Sequence, residues 1–159
     1  MKNSRTLFLT RGAMIAAGYV VLTYLTHLVG LDSGAIQFRI SEALTVLPVF
    51  FAEAIPGLFI GCALSNLLCG GTVLDILFGS LATLLGALGT YALRRMPMLA
   101  SIPPIIANVL IIPPVLIYAY GATEALPYLM LTVGLGEVVC AGVLGTILIL
   151  TDKKYKKTR

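Results

Sequence analysis

Charged residues are scarce in this sequence. Only 11% of its 159 residues are Asp, Glu, Lys or Arg, whereas a soluble domain carries roughly 25%. Hydrophobic residues make up 58% of the chain, and they recur in blocks bounded by Gly, Pro or charges rather than in the pattern of a soluble core. The composition therefore excludes an ordinary soluble domain and predicts an integral membrane protein.

Motifs for catalysis and metal binding are also missing. The sequence has no Gly-x-x-x-x-Gly-Lys-Ser/Thr motif, so any dependence on ATP would have to come from partner proteins. His27 is the single histidine, which excludes the usual histidine-rich metal sites and argues against a Ser-His type of hydrolase, since no motif places a serine beside it. Cys62, Cys69 and Cys140 lack metal-type spacing and are interpreted as packing residues. No catalytic residue, metal or cofactor is expected.

The net charge of +4 comes largely from the ends of the chain. Lys2, Arg5 and Arg11 precede or begin the first apolar block, and residues 153–159 form a basic tail. Such ends favour the anionic inner leaflet of a membrane. Because no recognition module accompanies the tail, nucleic acid is not an expected partner.

The apolar blocks predict an all-α bundle in one transmembrane domain. Six segments are expected, at about 8–30, 41–51, 57–69, 75–93, 99–120 and 126–150. The second and third are short for a crossing of about 20 residues, and one bent helix across both is the alternative. With six segments, every Lys and Arg except Arg39 lies on one side, whereas five would send Arg94 and Arg95 outside. Six segments with both termini in the cytoplasm are therefore favoured.

Small residues are spaced for close helix packing. On the first segment, Ala13 and Ala17 form a small-xxx-small face, with Gly12 and Ala16 beside it. Such a face either packs inside the bundle or binds a partner protein, and the spacing alone does not decide between them. A second face of this kind is expected on the third segment: Gly57 and Gly61.

Two proline pairs bracket a polar residue on the fifth segment. Pro103–Pro104 and Pro113–Pro114 lie on either side of Asn108. Proline removes an amide donor and clashes with the preceding turn, so both pairs are expected to leave carbonyl groups unpaired. Broken membrane helices of this kind often line transport sites. Kinks that serve packing alone are the alternative.

One carboxylate is predicted deep in the membrane. A rise of about 1.5 Å per residue places Glu137 roughly 17 Å from the outer end of its segment, and Asn108 at a similar depth. An ionised carboxylate there costs several kcal/mol unless it is paired, hydrated or protonated. Ligand recognition is the favoured explanation, with an internal structural partner or proton coupling as alternatives.

Polar chemistry is concentrated most tightly at residues 37–45. If the chain is helical from Arg39, that residue and Glu42 share a face and can pair. The candidate substrate-binding residues are Gln37, Arg39, Glu42, Asn66, Asp75, Asn108 and Glu137. The aromatic residues expected to enclose them are Phe38, Tyr118, Tyr120 and Tyr128. Such a set suits a flat polar molecule, because a carboxylate accepts two parallel N–H bonds from a guanine-like edge.

Three sequence blocks carry a family resemblance. Residues 37–48 (QFRISEALTVLP), 57–66 (GLFIGCALSN) and 75–83 (DILFGSLAT) resemble the QueT family, the substrate-binding S components of energy-coupling factor (ECF) transporters. The resemblance implies uptake of a queuosine precursor, a 7-deazaguanine base such as the aminomethyl or cyano form. It also implies a bacterial plasma membrane, a transmembrane T component that contacts Ala13 and Ala17, and two cytoplasmic ATPases.

Other functions remain open from the residues alone. A proton-coupled secondary carrier of a small polar heterocycle would also use Glu137 and broken helices, and an S component could serve a different vitamin-like molecule. An intramembrane enzyme would release an altered product. A purely structural subunit would bind no small molecule.

Overall fold

The structure, a computed structural model, describes residues 2–32 and 37–157, with side chains for 5–32 and 37–152. Residues 33–36 of the predicted outer loop and residues 158–159 of the basic tail lie outside the described residues, as do the side chains of Lys2 and of 153–157. Every regular element in the described ranges is helical. The prediction of an all-α bundle is confirmed.

Six helices follow one another along the described chain. They are α1 (Lys2–Leu28), α2 (Ile40–Val49), α3 (Ala54–Leu68), α4 (Val73–Ala92), α5 (Ile102–Tyr120) and α6, which runs through Leu126–Glu137, Val138–Leu144 and Gly145–Lys157 without interruption. The helix α2 is a 3₁₀-helix, and the middle part of α6 is a π-helix. A short 3₁₀ turn at Pro97–Leu99 precedes α5.

Four of these helices are long and apolar enough to cross a membrane. Within the described residues, these stretches are Arg5–Leu28, Val73–Ala92, Pro97–Tyr120 and Leu126–Asp152. The helices α2 and α3 have 10 and 15 residues. At rises of about 2.0 and 1.5 Å per residue, each is shorter than a hydrocarbon core of about 30 Å. The chain therefore has two short helices where one bent helix was the alternative.

Gly57 and Gly61 of α3 pack against Gly12 and Ala16 of α1. A Cβ atom at position 57 would lie 2.6 Å from the carbonyl oxygen of Gly12, and one at position 61 would lie 3.0 Å from that of Ala16. The backbones of α1 and α3 therefore touch, as small residues permit. Ala13 and Ala17 are exposed on another side of α1.

The connection between α2 and α3 is tied to α1 by an ion pair. Arg11 Nη1 lies 3.0 Å from Glu53 Oε1. A backbone hydrogen bond at Glu53 and the hydrogen bond from Arg11 hold the pKa of this carboxyl below its usual range. The pair closes one end of the α1–α3 contact.

The proline pairs of α5 differ in their effect. Pro103 and Pro104 lie in the first turn, where an amide hydrogen would have no intrahelical acceptor, so they do not break the helix. The predicted interruption at that pair is wrong. The pair instead packs against glycines of α4, since a Cβ atom on Gly86 or Gly89 would lie 2.7 or 2.5 Å from Pro104 or Pro103. Only Pro113–Pro114 lies inside the helix.

The π-helical part of α6 begins directly after Glu137. Its wider turn contains more residues than an α-helical turn, and such segments are frequent at functional sites. Cys140 and Ala141 face the interior there, and α2 packs against this part of α6. The wide turn therefore lies next to the residues that follow Arg39 in the chain.

Candidate functional site

The backbone at Arg39 determines which carboxylate it meets. Arg39 is extended, with φ −112° and ψ 98°, and α2 begins only at the next residue. The helical spacing rule therefore does not apply to Arg39 and Glu42. Arg39 Nη2 instead lies 3.8 Å from Asp75 Oδ2, so the predicted partner Glu42 is replaced by Asp75.

Asp75 is the centre of a polar cluster at the start of α4. The Thr72 hydroxyl caps this helix by accepting from the Asp75 amide at 3.3 Å, and Tyr120 Oη donates to Asp75 Oδ2 at 3.0 Å. Asn66 Nδ2 donates to the Asp75 carbonyl oxygen at 3.2 Å. Gly79 leaves room for this amide, because a Cβ atom there would lie 2.8 Å from Asn66 Nδ2. Residues of α3, α4 and α5 are thus joined at one point.

This cluster borders a cavity of about 330 Å³, called the outer cavity. Four of the predicted site residues line it: Gln37, Arg39, Asn66 and Asp75. The further polar side chains in its lining are Thr23, His27, Asp32 and Tyr120. His27 and Asp32 contact each other, with Nδ1 and Oδ2 2.8 Å apart.

A second polar group lies deeper in the bundle. Asn108 Nδ2 donates to Glu137 Oε1 at 2.9 Å and lies 3.5 Å from Glu42 Oε2. Tyr19 Oη donates to Glu42 Oε1. All four side chains are buried, and they come from α1, α2, α5 and α6. The expectation that Asn108 and Glu137 lie at one level is confirmed.

One oxygen in this group has no partner. Glu137 Oε2 is buried and forms no hydrogen bond within the structure. Buried polar atoms are nearly always hydrogen-bonded, and each exception calls for an explanation. The unpaired oxygen is therefore a candidate contact for a ligand.

A small space, called the inner cavity, adjoins Glu42, Asn108 and Glu137. Its volume is about 20 Å³, close to the size needed for one water molecule. Gln37, Arg39 and Ile112 line both this cavity and the outer one. Gln37 also lines a third cavity of about 190 Å³, between the last turns of α5 and the first turns of α6. The three cavities therefore adjoin one another.

Each of the seven predicted site residues lines the outer or the inner cavity. The structure thus brings them together from five helices and the segment before α2. Sequence reasoning missed Tyr19, Asp32 and Thr83, which line these cavities or bond to residues that do. A tyrosine inside an apolar helix gives no such signal by itself. Within the described residues, no group of three potential metal ligands is present.

The aromatic residues are divided between the inside and the outside. Tyr120 lines the outer cavity and Tyr128 lines the third one, and Phe38 is half-buried. Tyr118 is 83% exposed on the outer face of α5. The prediction that Tyr118 encloses the site is therefore wrong, because positions two apart on a helix lie on nearly opposite faces.

Comparison with known proteins gives two matches. Residues 9–154 match the family described as QueT transporter. A stretch of 84 residues is 40% identical to the queuosine precursor transporter QueT of Lactococcus lactis subsp. cremoris strain MG1363, covering 53% of this chain and 49% of that protein. The match thus spans about half the length of this curated relative. No solved structure matches the chain.

Proposed function

Because this chain belongs to the QueT transporter family, we propose that it is the substrate-binding S component of an ECF importer for a queuosine precursor. The substrate would be a 7-deazaguanine base, in its aminomethyl or cyano form. The chain itself would bind the base, and partner ATPases would supply the energy. The family membership supports a membrane transporter in general, and the site supports a polar planar substrate.

The observation that carries this proposal is the convergence of seven polar residues in an apolar bundle. Three of them, Glu42, Asn108 and Glu137, are at least 92% buried, yet Glu137 retains an unpaired oxygen. Polar groups inside a membrane are costly and usually serve a function. A hydrogen-bonding ligand would satisfy this oxygen.

The outer cavity is the proposed place of the base. Its volume of about 330 Å³ lies at the lower end of the range of roughly 300–1,000 Å³ for small-molecule sites. Rotation of Gln37, which lines both cavities, would let the edge of the base reach Glu137. Tyr120 in the lining offers an aromatic face for the ring.

An aminomethyl group would carry a positive charge that needs an anion. Both oxygens of Glu42 already have donors within the protein, namely Tyr19 and Asn108. Asp75 lines the outer cavity and is the better candidate. Its existing contact with Arg39 is long, at 3.8 Å, so an ammonium group could join it.

The partner proteins are proposed on the exposed face of α1. Ala13 and Ala17 are exposed, whereas Gly12 and Ala16 are used against α3. A smooth face of small residues permits close approach of another membrane helix. We assign it to the T component, with both termini and the two ATPases on the cytoplasmic side of a bacterial plasma membrane.

Retained ligand and calorimetry test the proposed function. The full chain, purified from cells in detergent, should release a 7-deazaguanine base that mass spectrometry identifies. In titrations with aminomethyl-7-deazaguanine, Glu137→Gln should weaken binding at least tenfold, because the unpaired acceptor is replaced by an amide.

The matched control is Glu53→Gln, the same chemical change outside the cavities, which should leave the affinity unchanged. Unchanged affinity in Glu137→Gln would remove Glu137 from the site. Failure of the wild-type chain to bind any 7-deazaguanine would overturn the substrate class.

A further inference from the structure

The directions of the hydrogen bonds that join Tyr19, Glu42, Asn108 and Glu137 restrict which chemical groups of a ligand can bind there. We infer that the Glu137 end of the inner cavity accepts only hydrogen-bond donors from a ligand, so that binding requires an amino group next to a ring N–H, and that Tyr19 is the positioning residue for this selectivity. The inference rests on the proposed function and concerns the specificity of the same site.

The chain of hydrogen bonds begins at Tyr19. This side chain is fully buried, and its hydroxyl donates to Glu42 Oε1. A phenol has a single proton to donate. Glu42 therefore acts as an acceptor at Oε1, and its other oxygen faces Asn108.

Asn108 is oriented by carboxylates on two sides. Its Nδ2 lies 2.9 Å from Glu137 Oε1 and 3.5 Å from Glu42 Oε2. The opposite orientation would place the amide oxygen against two carboxylate oxygens, which repel it. Both amide hydrogens are thus directed at the protein, and Asn108 has only its oxygen left to offer a ligand.

Gln37 and Arg39 line both the inner and the outer cavity, so they stand where the two cavities meet. The hydroxyl of Thr83, which lines the inner cavity, donates to the Gly79 carbonyl oxygen at 3.1 Å. Arg39 reaches toward Asp75. The open positions at the carboxylate end are Glu137 Oε2 and the remaining lone pair of Oε1, and both are acceptors when Glu137 is ionised.

This arrangement matches the edge of a guanine-type ring. A ring N–H beside an exocyclic amino group offers two parallel donors, and a carboxylate can accept both at once. A ring without the amino group would leave Glu137 Oε2 unpaired again. Sites built to hydrogen-bond a group strongly reject the analogue that lacks it.

Tyr19 acts on the ligand only through its neighbours. Without its hydroxyl, Glu42 Oε1 would lack a donor, and Glu42 could rotate to take the Asn108 amide from Glu137. The geometry of the acceptor pair would then no longer be fixed. Tyr19→Phe should therefore lower the selectivity between ligands while the chain still folds.

The experiment compares two ligands that differ by one group. The full chain in detergent is titrated calorimetrically with 7-deazaguanine and with 7-deazahypoxanthine, which lacks the 2-amino group. The wild-type chain should prefer 7-deazaguanine at least tenfold. Tyr19→Phe should reduce this ratio to below threefold, whereas Tyr91→Phe, the same change beside Arg94, should keep the wild-type ratio.

Each outcome has a distinct meaning. Equal affinity of the wild-type chain for both ligands would overturn the inference, because the 2-amino group would then not be recognised, yet the proposed function would survive. Binding of neither ligand would count against the proposed function itself. If Tyr19→Phe kept the wild-type ratio of affinities for the two ligands, the role assigned to Tyr19 would be overturned. The wild-type comparison needs no variant, so a Tyr19→Phe chain that does not fold leaves the main inference testable.

Discussion

Arg39 and Asp75 form a partly buried ion pair between the segment before α2 and the start of α4. Their side chains are 24% and 7% exposed, and the nearest charged atoms lie 3.8 Å apart. Asp75 has Tyr120 as a second partner. Removing one member of a buried pair leaves the other charge without compensation, which costs more than the intact pair contributes.

Arg39→Met should lower the free energy of unfolding by about 2 kcal/mol, below the 3–5 kcal/mol typical of fully buried pairs, because Arg39 is partly exposed. The double variant Arg39→Met/Asp75→Asn should recover part of this loss, since the uncompensated carboxylate is removed. Denaturant titration in detergent measures both values.

The control for this pair is Arg11→Met. Its partner contact with Glu53 is shorter, at 3.0 Å, but the Arg11 side chain is 46% exposed. Exposed ion pairs contribute about 0–1 kcal/mol, so the loss should be smaller than for Arg39→Met. Equal losses in the two variants would contradict the role assigned to burial.

At the scale of residues, the sequence predicted which polar residues line the two cavities better than it predicted their contacts. Polar residues in apolar surroundings are visible in a sequence, which is why Glu137 and Asn108 were predicted together. The choice of Asp75 over Glu42 as partner of Arg39 depends on an extended backbone that no local pattern indicated. The inward position of Tyr120 and the outward one of Tyr118 follow from helical periodicity and could have been predicted.

At the scale of elements, α1 and α3 approach each other through their smallest residues. Gly12 faces Gly57, and Ala16 faces Gly61. The contact lies beside the core residues Tyr19 and Leu58, so its spacing also fixes where Tyr19 stands relative to Glu42. The packing of two helices thus supports the deep part of the site.

Gly57→Ala should destabilise the protein by about 1–3 kcal/mol, as overpacking does in closely packed interiors. The added Cβ atom would lie 2.6 Å from the Gly12 carbonyl oxygen, and backbone atoms cannot move aside without separating the helices. Thermal unfolding in detergent measures the effect.

Gly18→Ala is the matched control on α1. Its nearest contact would be Leu44 Cδ1 at 3.9 Å, an ordinary van der Waals distance. Alanine favours a helix over glycine by roughly 0.5–1 kcal/mol, so this variant should unfold at the wild-type temperature or above it. A Gly57→Ala chain as stable as Gly18→Ala would show that the α1–α3 contact is not tight.

Element positions could be predicted more readily than element types. The proline pairs were visible, but their effect depends on where α5 begins, and Pro103–Pro104 lies in its first turn. The π-helix at Val138–Leu144 had no signal, because a single wide turn barely alters hydrophobic periodicity in a segment that is apolar on all sides.

At the scale of the whole molecule, apolar blocks predicted where the helices lie, since hydrophobicity indicates which stretches can lie in a membrane. Because α2 and α3 are short, only the distribution of Lys and Arg distinguished two separate helices from one bent helix. Which face of α1 packs inward could not be predicted, because Ala13 and Ala17 have the same spacing as Gly12 and Ala16. In the structure, one stripe is used against α3 and the other is left exposed.

The exposed stripe leads to a prediction about the assembled transporter. Ala13→Trp or Ala17→Trp should abolish copurification with a T component and ATP-driven uptake in proteoliposomes, because a large side chain prevents close approach of another helix. The isolated chain should still bind its ligand with wild-type affinity, since neither residue lines the cavities described here. Met14→Trp is the control, because Met14 is 69% exposed and already bulky, and it should assemble normally.

The same proteoliposomes distinguish the proposed importer from a secondary carrier. Both would use a buried carboxylate such as Glu137, but an S component moves its substrate only when partner ATPases are present. We therefore expect substrate uptake into vesicles that contain all four subunits and ATP. We expect none into vesicles that contain this chain alone with a proton gradient. Uptake by the chain alone would reassign Glu137 to proton coupling, and normal assembly of Ala13→Trp would move the partner surface away from α1.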